Sequence, residues 1–132
     1  MNIIVTGGAG FVGSHLVELL VKKKHYPIIV DDLSSGLYSN IKHFIDLKKA
    51  KFVKCDIRNF KKVLQLSKVD AVIHLAAIAS VVESIDNPNL VNDVNVSGTL
   101  NMLEFCRKKK IKKFVFTSSA AIYGDYEEKI TE

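Results

Sequence analysis

Between residues 6 and 13 the chain reads Thr-Gly-Gly-Ala-Gly-Phe-Val-Gly, with Gly7, Gly10 and Gly13 at three-residue intervals. An apolar run over residues 2–6 enters this segment. Residues 11–23 leave it with Val12, Leu16, Leu19 and Leu20 on one face at helical spacing. A strand that turns through glycines straight into a helix opens a βαβ unit, which commits the chain to a parallel sheet covered by helices.

The rest of the chain continues that alternation. Residues 26–30 are apolar throughout, with Pro27 tolerated at the strand start. Residues 32–40 are rich in Ser and Gly and read as a loop, and 41–46 as a short helix. A strand is predicted over 51–54, a helix over 59–67, a strand over 71–75 and one or two helical turns over 80–85. Asn87-Pro88 pairs an N-cap residue type with Pro at the first helical position. That helix is predicted to reach about residue 108, with Val91, Val94, Asn95, Gly98, Met102 and Phe105 on one face. A strand follows over 113–116, and 123–132 reads as a polar loop. These elements predict a single α/β domain with a Rossmann-type doubly wound parallel sheet in the order 3-2-1-4-5. A ligand crevice is expected between the first and fourth strands.

The glycines give that crevice a chemistry. Glycine allows the tight turn and removes the Cβ that would block a pyrophosphate, while Gly13 lets the helix lie close to the sheet. The helix N-terminus offers free N–H groups and a positive dipole end to phosphates. A plain βα turn also tolerates glycines, so the stronger signal is the acid at the end of the second strand, Asp31. Its carboxylate suits the adenosine ribose hydroxyls and repels a 2′-phosphate, and no Arg stands beside it. NAD is therefore expected over NADP. Asp32 next to it reads as a loop or cap carboxylate.

The remaining composition argues against other classes. The 132 residues carry a net charge of +5, with Lys and Arg gathered at residues 22–24, 48–49 and 107–113. Most of these fall at expected helix ends, where cations are favoured. No basic stripe with interleaved aromatics marks a nucleic-acid surface. No apolar run approaches the roughly 20 residues of a membrane span. The N-terminus lacks the layout of a signal peptide, and Cys55 and Cys106 share no metal-ligand spacing. The expectation is a cytoplasmic protein with two reduced thiols, no metal site and no membrane or nucleic-acid partner.

The segments TGGAGFVGSH, VDDLSSG, FVKCDIRN, VIHLAA, NDVNVSGTLNMLEFC and FVFTSSAAIYGD span nearly the whole chain. In that order and spacing they resemble the extended short-chain dehydrogenase/reductase family, and among its members the NAD-dependent UDP-sugar 4-epimerases. The resemblance implies that Phe11 and Val12 present backbone N–H groups to the pyrophosphate. Asp31, Asp32, Leu33, Ser34, Ser35 and Gly36 would surround the adenosine. Asp56 and Ile57 would contact adenine, a strand-end cap being the alternative for Asp56. Leu75, Ala76, Ala77 and Ile78 would line the pyrophosphate and nicotinamide ribose, with Asn95 behind them in a mainly structural role. His74 reads as a core histidine. Ser119 matches a hydroxyl residue that contacts the sugar 4-hydroxyl, with Ala120 and Ala121 beside the substrate; capping of the strand end is the alternative.

The same resemblance discriminates among members. Sugar 4,6-dehydratases carry an Asp-Glu pair directly after the hydroxyl residue, and nucleotide-sugar decarboxylases usually keep the Glu. This chain has Ala120 and Ala121, which leaves C4 epimerisation of a UDP-sugar. Ala79 departs from a Lys found in some galactose-type members. The family base is the Tyr of Y-x-x-x-K, but Tyr123 is followed four residues on by Glu127, and Tyr126 by Ile130. The pair is expected beyond residue 132, in a longer parent, expected as a homodimer, that also holds the last strands and a C-terminal sugar-binding subdomain. The 132 residues alone are expected to be inactive. A non-catalytic NAD-binding or redox-sensing module, a UDP-uronate epimerase and a sugar reductase are the other readings.

Overall fold

A computed structural model describes residues 1–125 of the chain. Five strands, β1 (Asn2–Thr6), β2 (Tyr26–Asp31), β3 (Lys51–Lys54), β4 (Ala71–His74) and β5 (Phe114–Phe116), form one sheet in the order β3-β2-β1-β4-β5. Every pairing is parallel: Ile4 stands beside Ile28 on one side and Val72 on the other. The sheet is the doubly wound, Rossmann-type arrangement predicted, with its crevice between β1 and β4.

Alternation along the strands builds two cores. Ile4, Ile28, Val30 and Val72 point into one with Met102, Phe105 and Cys106. Ile3, Val5, Ile29 and Ala71 point into the other with Val17, Leu20 and Phe44. Helices α1 (Phe11–Lys22) and α2 (Lys42–Asp46) cover the second face. Helices α3 (Phe60–Leu64) and α6 (Thr99–Lys109) cover the first. The short helices α4 (Val81–Asp86) and α5 (Pro88–Asn92) lie between β4 and α6 in the chain.

Three expectations need correction. The buried face of α1 is Gly13, Ser14, Val17 and Leu20. Of the expected face, Leu20 is buried and Leu16 packs partly buried against the core, while Val12 and Leu19 are 62% and 50% exposed. The helix is rotated so that its two small residues, rather than its largest apolar ones, approach the glycine turn. Second, the helix expected from residue 88 to about 108 is not regular. A π-helical turn over Asp93–Gly98 separates α5 from α6. Third, Asn87 stands at the N-cap of α5, but its amide donates to Glu83 Oε1 at 2.9 Å instead of capping the helix. A 3-10 turn, Ala120–Tyr123, leads into the loop expected from residue 123. Residues 126–132 of that expected loop, including Tyr126, Glu127 and Ile130, lie outside the described residues.

Candidate functional site

Strand β1 delivers the chain into the glycine turn, where Gly7 donates to Val30 O at 2.9 Å. Gly7 has φ +67°, and a Cβ there would meet Ala76 N at 3.0 Å. The turn therefore presses bare backbone against the segment leaving β4. At Gly13 a Cβ would stand 2.1 Å from Gly7 O, so the first turn of α1 packs directly on the turn before it. No acidic residue lies in that first turn, and the positive end of the helix opens into the cleft.

Ala9, fully buried, joins the turn to the next loop. Its N–H donates to Asp31 Oδ2 at 2.9 Å. Its carbonyl accepts from Leu37 N at 3.1 Å and from the Asn40 amide at 2.9 Å. Asp31 Oδ1 accepts from Leu33 N at 2.8 Å. Each carboxylate oxygen retains acceptor capacity beyond these bonds. Asp32 is spent locally: its Oδ1 takes both the N–H and the hydroxyl of Ser34, at 2.9 and 2.7 Å.

These elements border a cleft of about 810 Å3, within the range of small-molecule sites. Gly7, Gly10, Phe11, Val12 and Gly13 line it, as do Asp31, Asp32, Ser34, Ser35 and Gly36. Asp56, Ile57 and the run Leu75, Ala76, Ala77, Ile78 complete its predicted border. Leu33 does not line it; with φ +64° it packs against the core beside α1. Asn95 stands behind the cleft, accepting from Ile78 N at 2.8 Å and donating to Ile78 O at 2.9 Å. Ser119, Ala120 and Ala121 are exposed and outside the cleft lining. Ser119 Oγ accepts from Ala121 N at 3.2 Å and so caps the 3-10 turn.

Several lining residues escaped the sequence reading, among them Cys55, Ser80 and Arg58. Arg58 matters most. Its guanidinium meets both oxygens of Asp56, with Nε 3.1 and 2.9 Å from Oδ1 and Oδ2. This hydrogen bonding holds the Asp56 carboxyl below the usual carboxylate range. The i, i+2 spacing at a strand end was the available signal.

A second omission concerns Y-x-x-x-K. Tyr38 and Lys42 have that spacing, yet neither lines the cleft. The Tyr38 ring packs against Phe52, with centroids 5.4 Å apart, and Lys42 pairs with Asp46. The spacing there belongs to a surface turn before α2.

His74 is the buried histidine predicted, 1% exposed. Its ring lies 2.7 Å from Thr6 Oγ1 and 3.0 Å from Thr99 Oγ1. Burial pulls its pKa down to about 4, so the ring is neutral near pH 7. Cys55 and Cys106 are free and buried, and burial pushes both thiols up. Among the described residues no cluster of three or more His, Cys, Asp or Glu is placed to hold a metal. No described helix is long and apolar enough to cross a membrane.

Residues 4–132 match the model of the family described as GDP-mannose 4,6 dehydratase. The chain belongs to the extended short-chain dehydrogenase/reductase family. It is 44% identical over 126 residues to a putative UDP-glucose 4-epimerase of Methanocaldococcus jannaschii, covering 93% of this chain and 40% of that one. It is 37% identical over 130 residues to a UDP-glucose 4-epimerase of Klebsiella pneumoniae, covering 95% of this chain and 94% of that sequence. The solved UDP-glucose 4-epimerase of Thermus thermophilus, a complex with NAD, superposes with TM-score 0.90 at 38% identity. That superposition covers 100% of this chain and 42% of the other. The chain thus spans about 40% of the length of the archaeal relative and of this family structure.

Proposed function

We propose that residues 1–132 form the NAD-binding domain of a UDP-sugar 4-epimerase, whose parent reaction interconverts UDP-glucose-type and UDP-galactose-type sugars at C4. The observation that carries the cofactor assignment is the union of the glycine cradle and Asp31 through Ala9 at one cleft. The space above Gly7, the open end of α1 and a carboxylate at the end of β2 together fit a dinucleotide without a 2′-phosphate. Arg58, the arginine lining the cleft, is engaged by Asp56, which leaves it poorly disposed to receive such a phosphate. NAD held there would supply a reversible hydride acceptor for the sugar C4, the chemistry that epimerisation needs.

The chain's own residues would position that chemistry. Backbone of residues 75–78 would lie along the pyrophosphate and nicotinamide ribose, Asp31 would hold the adenosine ribose, and Asp56 would meet the adenine amine. Ser119 would reach the sugar hydroxyl, leaving its present bond to Ala121 N. Ala120 and Ala121 offer no acid or base for dehydration, which favours epimerisation despite the dehydratase description of the matching family model. Among the described residues neither Tyr nor Lys lines the cleft, so the base would come from residues other than these. We expect the 132-residue polypeptide alone not to turn over UDP-sugars. Exposed apolar residues on the π turn (Val96) and on α6 (Leu100 and Leu103) support self-association of the parent as a homodimer. The two free thiols support a cytoplasmic location.

Calorimetric titration with NAD and NADP tests the cofactor assignment. Tighter binding of NAD, with the preference reduced in Asp31→Asn, is the expected result; equal affinity of the wild type for both overturns it. Assay of a parent chain carrying Y-x-x-x-K against UDP-galactose, UDP-glucuronate and GDP-mannose tests the reaction. Turnover of GDP-mannose alone would replace epimerisation with dehydration.

A further inference from the structure

The polar groups between the sheet and α6 form one directed chain. Thr6 Oγ1 accepts from the backbone N–H groups of Leu75 and Ala76, each at 3.1 Å. Its own proton is then free to go to His74 Nδ1, 2.7 Å away. On the far side of the ring, Thr99 Oγ1 donates to Asn95 O at 2.6 Å. That hydroxyl must therefore accept from His74 Nε2, 3.0 Å away. The two ends independently require the same tautomer, with Nδ1 bare and Nε2 protonated.

The chain begins on residues 75 and 76 and ends at the backbone of Asn95, whose side chain grips the same segment at Ile78. Thr6 holds the backbone of Leu75 and Ala76, and Asn95 clasps both backbone groups of Ile78. Asn95 belongs to the π turn, a distortion that re-aims side chains and concentrates at functional sites. Neither His74 nor Thr99 lines the cleft, so any influence they have on a ligand passes through residues 75–78.

We propose that His74 and Thr99 are positioning residues that set the backbone of residues 75–78 for the pyrophosphate and nicotinamide-ribose end of the dinucleotide. The proposal rests on the NAD-binding reading above. The ring's fixed tautomer gives the segment one arrangement, because reversing it would aim a third N–H at Thr6 Oγ1 and strand that hydroxyl's proton.

The test compares NAD with AMP, which occupies only the adenosine end held by Asp31, Gly36 and Asp56. Thr99→Val keeps the shape and removes the acceptor. It is expected to weaken NAD roughly tenfold while AMP changes by less than about twofold, and Thr99→Ser is expected to recover NAD binding. Ring nitrogen NMR of the wild type is expected to show His74 protonated at Nε2. Equal loss of NAD and AMP would mean a general effect on the fold and overturn the proposal, as would unchanged NAD affinity or an Nδ1-protonated ring. If Thr99→Val does not fold, His74→Leu supplies the same comparison. Wild-type protein that binds AMP but not NAD would instead sink the NAD-binding reading.

Discussion

The carboxylate of Asp31 receives the backbone N–H of Ala9 at 2.9 Å, across 22 residues of chain. The bond is buried, and it joins the end of β2 to the phosphate-facing turn. Asp31 is thus a structural tie as well as the expected ribose ligand. Asp31→Ala should cost about 1–3 kcal/mol of stability by stranding a buried N–H. Urea unfolding would measure this without any ligand. A variant as stable as wild type would show that Ala9 finds another acceptor.

The depressed pKa of His74 makes stability depend on pH. Its pKa of about 4 lies below the ordinary 6.5. Between these values the unfolded chain binds the extra proton, so stability rises with pH. The contribution is whole above 6.5, declines as pH falls and is lost below about 4. The shift corresponds to about 3 kcal/mol. Urea midpoints for wild type and His74→Leu should converge as pH drops from 7 to 4; parallel profiles would contradict the burial effect.

Gly13→Ala should fail for lack of room. The new methyl would stand 2.1 Å from Gly7 O and 2.7 Å from Gly8 Cα, and both are backbone. Separating them should cost about 1–3 kcal/mol and open the pyrophosphate turn. A lowered thermal midpoint together with lost NAD binding is expected.

At Arg58 the predicted effect is electrostatic. Arg58→Met removes the guanidinium whose hydrogen bonds hold the Asp56 carboxyl low. The carboxyl should move back up, as read by carbon NMR titration. Above the ordinary carboxylate range the wild-type pair contributes stability, which is lost as pH falls through the depressed value. The pair is partly exposed, so the change should stay below about 1 kcal/mol. An unmoved titration would place another group in control of Asp56.

The three inner strands were legible because strands buried on both faces demand continuous apolar runs; the outer strands β3 and β5 are partly exposed. Each predicted strand agrees with the observed one to within a residue at either end. The buried face of α1 was misread because Gly13 and Ser14 carry no hydrophobic signal; they face inward because they are small. The π turn left no mark, since one extra residue in a helix changes neither composition nor propensity. The family resemblance placed Leu33 at the cleft, but with its left-handed backbone it packs, half-buried, against the core instead. Tyr38 and Lys42 show the converse, a motif spacing placed away from the cleft. Side-chain hydrogen bonds such as Arg58 to Asp56 depend on rotamers that a linear sequence does not display.

Among the described residues strand β5 ends the sheet order, and Val115 and Phe116 on it are 56% and 55% exposed. An apolar outer strand is a template for strands of other molecules. Lys112 and Lys113 stand immediately before it, where charge opposes such stacking. The polypeptide handled by itself should therefore be colloidally sensitive to salt: screening those lysines would remove the repulsion and expose the strand to intermolecular pairing.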